Sequence, residues 1–351
     1  MLWQLQETAD SVGLHQVEGK GLLSDPNQRA LVIFPGALID NLTCQKQPLK
    51  AAKTIKALRI AIEQSLPEGA AMPAIYLYSY DDTENRELPM AHFRQDANKL
   101  SHEGIQTKKC AFLPFVLNEG ETLGDLTPSL LKARLSRLTY VGHCYGSVAM
   151  KEMQKAITLD LRTLGWDQAT INDCLKEKVD ITLANVALLD APAAPATQIA
   201  FTAMNDTQAI DFIRKHTAQA SGWQADAARC GYPETTAAKV PHETTRAVAA
   251  ASERPIIRPI NQGYLIRAIL PTESESISQG VEHDMRTFLA YPPTANLLRR
   301  VLGNALTREA GSIGDGHQLL SHDPAPLHRY AAGRMQAPEQ SNPQAQTPPP
   351  R

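Results

Sequence analysis

Apolar positions along the chain fall into two patterns, short continuous runs and longer stretches with apolar residues at helical spacing. The short runs predict strands, of which the inner ones are typical of a buried sheet: Trp3–Gln6, Leu14–Val17, Leu31–Phe34, Ala74–Tyr80, Leu138–Val141, a run from Ile181 to near Asp190, and Gly263–Leu270. The helical spacing predicts helices over Pro48–Leu66, Pro128–Arg137, about Ser147–Leu161, Trp166–Lys176 and from about Pro293. Strands that alternate with helices indicate an α/β fold with a mostly parallel sheet flanked by helices.

Two segments depart from this alternation. The stretch from about 195 to 260 is rich in alanine, threonine and polar residues, and it predicts a helical lid insertion. Within it, "IAFTAM" (Ile199–Met204) resembles a strand, but too few residues follow Leu189 for a parallel crossover, so we do not expect it to be the next parallel strand. Residues 1–310 form the predicted domain, and the Pro/Gln-rich residues 311–351 are expected to be weakly ordered or disordered.

The sequence "GHCYG" at 142–146 follows an apolar strand and leads at once into helix-forming residues. A nucleophile at the apex of such a junction has a strained backbone, and the residues two before and two after it must be small. Gly142 and Gly146 occupy these positions around Cys144. The helix N-terminus favours the thiolate form of a cysteine, and the backbone N–H of Tyr145 would face a developing oxyanion. The competing interpretation is an inert, buried cysteine.

A thiol nucleophile needs a base, and the base needs a carboxylate that orients it. His283, which follows a strand and a loop and precedes the last helix, is a candidate base, whereas His143 is expected to point away from the site. Two carboxylates compete for the third role, Asp190 in "LLDAP" and Asp206 in "MNDTQ". The expectation that "IAFTAM" is not a parallel strand favours Asp190, and it leaves Asp206 as a helix N-cap.

Three motifs, "VGHCYGSVAMKEM", "VALLDAPAAP" and "GVEHDMRTFLAYPP", resemble the α/β-hydrolase superfamily, most closely the thioesterase domains of polyketide and nonribosomal peptide synthesis. The resemblance spans about residues 29–306 as an order of motifs. It implies an α/β-hydrolase fold, Asp190 as the triad acid, His283 as the base, and the second oxyanion N–H at Ala37 in "VIFPGALIDN". The chain departs from the family pattern with a cysteine for the usual serine, as in dienelactone hydrolases, and with Ser147 where a second glycine often follows.

The predicted function is hydrolysis or transfer of an acyl group from an ester or thioester. A Cys144–His283–Asp190 triad would form a thioester intermediate, with the N–H groups of Tyr145 and Ala37 as the oxyanion hole. The substrate is a small-molecule acyl compound, free or carrier-linked, and neither a cofactor nor a metal is expected. Two alternatives stay open: a non-catalytic scaffold that binds a small ligand or a protein partner, and a dienelactone-type or carboxylesterase hydrolase.

Composition limits which binding partners and which cellular compartment are expected. Lysine and arginine number 35 against 37 aspartates and glutamates, with no dense basic stripe, so nucleic acid is not an expected partner. No stretch approaches the roughly 20 apolar residues of a membrane span, and the first residues lack the apolar core of a secretory signal. The five cysteines are scattered and form no CxxC pair. A cytoplasmic protein with reduced thiols is the expectation; signal-independent export and the oligomeric state stay open.

Overall fold

The central element of the fold is a mixed β-sheet. In a computed structural model, the structure describes residues 2–7, 12–35, 48–78, 111–184, 196–206, 225–229, 255–260, 263–270, 285–312 and 316–321. Nine strands of these residues form one sheet: β1 (Leu2–Glu7), β2 (Val12–Val17), β3 (Ala30–Phe34), β4 (Ala74–Tyr78), β5 (Leu138–His143), β6 (Val179–Leu183), β7 (Thr197–Ala203), β8 (Ile256–Ile260) and β9 (Gly263–Ala268). Their order is β2-β1-β4-β3-β5-β6-β7-β9-β8. Strands β3 to β7 and β9 are parallel, whereas antiparallel pairs attach β1, β2 and β8.

Helices cover both faces of the sheet. They are α1 (Pro48–Glu63), α2 (Leu113–Val116), α3 (Pro128–Leu135), α4 (Tyr145–Thr163), α5 (Gln168–Leu175), α6 (Met285–Ala290), α7 (Pro292–Thr307) and α8 (His317–Ser321). One apolar cluster joins the sheet to α1, α6, α7 and α8, and a second joins the opposite face to α2, α3, α4 and α5. The predicted α/β class with helices on both faces is therefore confirmed. None of the described helices is both long and apolar enough to cross a membrane.

Helix starts follow capping residues that the sequence displays. The side chain of Thr127 accepts a hydrogen bond from the N–H of Leu130 at 3.2 Å, and Pro128 occupies the first turn of α3. In the same way, Asp167 accepts from the N–H of Thr170 at 2.9 Å and caps α5. These caps fix where the two helices begin, and they set the connections on both sides of β5.

Strand β6 ends earlier than the sequence pattern predicts. The apolar run predicts a strand that continues to Asp190, but β6 stops at Leu183, and Ala184 has a φ of +49°, which is not an extended conformation. Residues 184–196 are therefore available for a crossover, and a parallel connection needs about a dozen residues. Strand β7 accordingly pairs in parallel with β6, so the expectation that "IAFTAM" is not the next parallel strand was wrong.

The lid insertion predicted for about 195–260 overlaps the sheet at both ends, since β7 and β8 occupy its first and last residues. Between these strands the structure describes only a helical segment at 225–229. This segment is joined to the sheet by Asp226, which is fully buried and forms ion pairs with Arg258 and Arg267. Most of the insertion lies outside the described residues, so the lid stays a prediction.

Ordered structure continues past residue 311, where the sequence predicts that order decays. Helix α8 packs on α7, and its residue Leu319 is only 2% exposed and belongs to the apolar cluster on that face of the sheet. The C-terminal part of the chain therefore contributes to the core up to this helix. Residues 322–351 lie outside the described part of the chain, and their expected disorder stays a prediction.

Candidate active site

Cys144 lies at the apex of the predicted strand–turn–helix junction. Strand β5 ends at His143 and helix α4 begins at Tyr145, so Cys144 is the single residue between them. Its φ of +50° and ψ of −119° lie outside the regions that residues other than glycine usually adopt. Such conformations cost roughly 1–3 kcal/mol and persist where the surrounding structure enforces them, often at active sites. The backbone of Cys144 thus has the strain of a nucleophile elbow.

Gly146 lies where no side chain fits, and Gly142 lies in a tightly packed position. A Cβ on Gly146 would lie 2.0 Å from the carbonyl oxygen of Phe34, the last residue of β3. A Cβ on Gly142 would lie 2.4 Å from the sulfur of Met150 in α4, and 3.3 Å from the carbonyl carbon of Gly146. The glycines therefore allow α4 to start directly against the sheet beside Cys144. The predicted steric requirement for a small residue is confirmed at Gly146, whereas at Gly142 the side chain of Met150 would have to move.

We expect Gly146→Ala to lower the free energy of unfolding by about 1–3 kcal/mol, because the added Cβ collides with backbone that no rotamer change can move. Urea denaturation of both proteins measures the change. Gly124→Ala is the matched control, since its nearest neighbour would be the hydroxyl oxygen of Thr122 at 3.6 Å, an ordinary contact. Equal losses in the two variants would show that Gly146 is not sterically required.

Hydrogen bonds hold the peptide groups on both sides of the elbow. The N–H of Cys144 donates to the carbonyl oxygen of Leu183 at the end of β6, at 3.0 Å. The carbonyl oxygen of Cys144 accepts from the N–H of Ser147 at 3.1 Å and from its Oγ at 2.6 Å. Ser147 is 3% exposed, so this hydroxyl is shielded from water. Ser147 therefore stabilises the turn.

The structure describes two thiols, and their environments differ. Cys144 is partly exposed, whereas Cys174 in α5 is fully buried, with its Sγ 3.6 Å from the carbonyl oxygen of Pro128. Burial raises the pKa of the Cys174 thiol to about 11, so this thiol is neutral at neutral pH. Cys174 is therefore an internal reference for an unreactive cysteine, against which the reactivity of Cys144 can be measured.

His143 lies beside Cys144 but on the other face of the sheet from α4. Side chains alternate along a strand, so His143 shares the face of Val141, which packs in the cluster with α1 and α7. Gly142, in contrast, faces α4. His143 is 4% exposed. His143 thus lies on the side of the sheet opposite α4, and the expectation that it points away from the site stays a prediction.

The parallel strands present their carboxyl ends at one edge of the sheet. Pro35, Cys144 and Ala184 directly follow β3, β5 and β6, whereas Asp206 lies three residues after the end of β7 and Leu270 two residues after the end of β9. Among the described residues, the non-glycine residues with positive φ are Cys144 and Ala184, on adjacent strands. Backbone strain is therefore concentrated at this edge, and the sequence did not indicate Ala184, because alanine carries no signal for it. No three His, Cys, Asp or Glu side chains group as metal ligands within the described ranges.

The structure removes the argument that ranked Asp206 below Asp190. Strand β7 is a parallel neighbour of β6, so Asp206 follows a strand end at the same edge as Cys144. Asp206 is fully buried, and a buried carboxylate is unstable unless it accepts hydrogen bonds or pairs with a cation. Asp190 does not terminate β6, which ends seven residues earlier along the sequence. Asp190, His283 and Ala37 lie outside the described residues, and their roles stay predictions.

Comparison with known proteins gives little direct guidance. No protein-family description and no curated protein matches the chain. Among solved structures, the chain is similar to a serine-to-alanine mutant of the feruloyl esterase module from Clostridium thermocellum, complexed with sinapinate. The two share 10% identity with a TM-score of 0.30, over 63% of this chain and 72% of that module. A similarity this low does not transfer a function, which has to be argued from the residues of the chain itself.

Proposed function

We propose that the chain is an enzyme of the α/β-hydrolase type that transfers or hydrolyses acyl groups, with Cys144 as the nucleophile. The observation that carries the proposal is the elbow itself, a strained non-glycine residue between a buried parallel strand and a helix. An inert core cysteine needs no such backbone, and Cys174 lies in a regular helix. The partial exposure of Cys144 at the carboxyl edge of the sheet leaves its thiol open to a substrate.

In the proposed triad, His283 accepts the thiol proton of Cys144 and a carboxylate orients the imidazole. Asp206 is the better-supported carboxylate, because it is buried and follows a parallel strand two positions from β5. Two strand spacings correspond to about 10 Å, which leaves room for an imidazole between the nucleophile and the acid. Asp190 is the alternative acid, supported by the thioesterase resemblance.

The proposed oxyanion hole consists of the backbone N–H groups of Tyr145 and Ala37. Tyr145 is the first residue of α4, where N–H groups have no partner within the helix. Pro35, the last described residue after β3, lies against the start of α4, since a Cβ on Gly146 would be 2.8 Å from its carbonyl oxygen. Ala37 follows two residues later, so a position beside the N-terminus of α4 is within reach of the chain.

The reaction then proceeds in two steps. The Cys144 thiolate bonds to the carbonyl carbon, and the carbonyl oxygen takes the negative charge toward the two N–H groups. The tetrahedral intermediate expels the alcohol or thiol, which takes the proton from His283 and leaves a thioester on Cys144. Water, an amine or an alcohol gives its proton to His283, attacks the thioester and releases the acyl product with the thiolate. Hydrolysis and transfer differ only in this second nucleophile.

Intact-mass measurement after exposure to a panel of acyl thioesters and activated esters tests the proposal. We expect the wild-type protein and a Cys174→Ala control to gain the mass of an acyl group. Cys144→Ala should gain none and stay folded, because the apex accepts a small side chain, and Cys144→Ser should keep a trace of activity. An undiminished adduct in Cys144→Ala, or a Cys144 that alkylates no faster than Cys174, would favour a ligand-binding scaffold instead.

A further inference from the structure

Just beyond β7, the side chain of Asn205 acts in place of a backbone group. Its Nδ2 donates to the carbonyl oxygen of Leu270 at 2.7 Å, and its Oδ1 accepts from the N–H of Leu270 at 3.0 Å. Asn205 is 6% exposed and Leu270 is fully buried, so both hydrogen bonds are shielded from water. The Asn205 side-chain amide thus pairs with both backbone polar groups of Leu270, as an opposing residue does in an antiparallel β-ladder.

This contact extends the pairing of β7 with β9 beyond the end of both strands. The register ends with Ala203 opposite Ala268, and the N–H of Met204 then donates to the carbonyl oxygen of Ala268 at 2.8 Å. The Asn205 amide adds the next connection, to Leu270. The two chain segments therefore stay joined where the strand pairing has already ended. We call this two-bond contact between Asn205 and Leu270 the amide clamp.

The amide clamp lies directly beside the proposed acid. Asn205 immediately precedes Asp206, so the two hydrogen bonds to Leu270 hold the backbone from which the acid projects. We infer that Asn205 is a positioning residue, which holds Asp206 in place at the carboxyl edge of the sheet. The inference rests on the proposed function. Asn205 acts through its neighbours and takes no part in the bond changes.

Loss of the amide clamp has a specific physical consequence. A buried N–H and a buried carbonyl group at Leu270 would lose their partner, and such groups are unstable until water or another polar group replaces it. The Asn205–Asp206 backbone, which Leu270 then no longer holds, is free to shift and to displace the proposed acid. A displacement of about 1 Å between reacting groups can lower a rate by about 100-fold, even when it originates outside the chemistry.

The test compares wild type, Asn205→Ala and the matched control Asn304→Ala. Asn304 also joins two segments through its amide, donating to the carbonyl oxygens of Gln318 at 3.3 Å and Leu319 at 3.1 Å, on helices away from the elbow. The single-turnover rate of Cys144 acylation is measured across the neutral pH range, well below every unfolding transition. We expect Asn205→Ala to be about 10- to 100-fold slower, with the midpoint of its pH–rate profile at higher pH, because thiol ionisation then lacks a correctly placed imidazole. Asn304→Ala should keep the wild-type rate and profile.

The outcomes distinguish a positioning role from a purely structural role and from failure of the proposed function. If Asn205→Ala is less stable but keeps the wild-type rate and pH profile, the clamp is purely structural and the positioning role is refuted. If wild type itself forms no Cys144-dependent adduct, the proposed function fails and the positioning role fails with it. Should Asn205→Ala not fold, hydrogen exchange of wild type decides, since the N–H of Leu270 is expected to be as protected as that of Ile266. Rapid exchange at Leu270 alone would overturn the inference.

Discussion

Asp206→Asn is expected to lower the rate of Cys144 acylation by about 100- to 10,000-fold. An asparagine keeps the shape of the side chain but removes the negative charge that would select the imidazole tautomer and stabilise its protonated form. Because Asp206 is fully buried, solvent has little access to stabilise the imidazolium in its place. Single-turnover kinetics with the acyl donor that labels wild type measures the effect, and circular dichroism checks that the variant is folded.

Asp190→Asn is the matched control for this prediction, since it makes the same change at the other candidate acid. We expect it to keep the wild-type rate, because β6 ends at Leu183 and does not bring Asp190 to its carboxyl end. The reverse order of effects would assign the acid to Asp190, as the resemblance to thioesterases implies. Wild-type rates in both variants would exclude a carboxylate-oriented base altogether.

The elbow could be predicted from the sequence because its requirements are local. The strand, the two glycines and the start of the helix all lie within a few residues of Cys144, and the small residues follow from steric contacts between Gly142, Gly146 and their surroundings. The helix caps at Thr127 and Asp167 are local in the same sense. Short-range patterns of this kind determine both the element type and its position.

The sequence pattern predicts neither end of strand β6 correctly. It misses the start because Lys178 and Asp180 are charged and therefore do not resemble buried strand residues. The structure nevertheless buries both as an ion pair, with the Lys178 ammonium 4.3 Å from the ring centre of Tyr140. The pattern places the end too late because the apolar run continues in the sequence, whereas the backbone conformation of Ala184 ends the strand. Each error has a physical origin in tertiary contacts or backbone geometry, which residue types do not encode. The misplaced strand end led to the wrong expectation for β7, and that expectation was the argument against Asp206.

The buried position of Arg308 is likewise not predicted by any local sequence pattern, since most of its hydrogen-bond partners are distant in sequence. It follows α7 and is 7% exposed. Its guanidinium donates to one hydroxyl and four carbonyl groups, namely Thr139 Oγ1 at 2.9 Å, Leu138 at 2.7 Å, Leu135 at 3.0 Å, Glu177 at 3.1 Å, and Ala305. These groups belong to the amino ends of β5 and β6 and to the helices beside them. Burial lowers the pKa of Arg308 to about 9, so the side chain is still charged at neutral pH.

We expect Arg308→Ala to lower the free energy of unfolding by about 3–5 kcal/mol, since several buried carbonyl groups lose a charged donor that links them to one another. Urea denaturation, followed by far-ultraviolet circular dichroism, measures the loss. The matched control is Arg59→Ala, which removes a surface pair with Glu63 at 2.9 Å and should cost at most about 0.5 kcal/mol. The amino edge of the sheet is opposite the elbow, so folded Arg308→Ala should still form the Cys144 adduct. A loss no larger than that of the control would show that these carbonyl groups find other donors and that Arg308 does not hold this edge together.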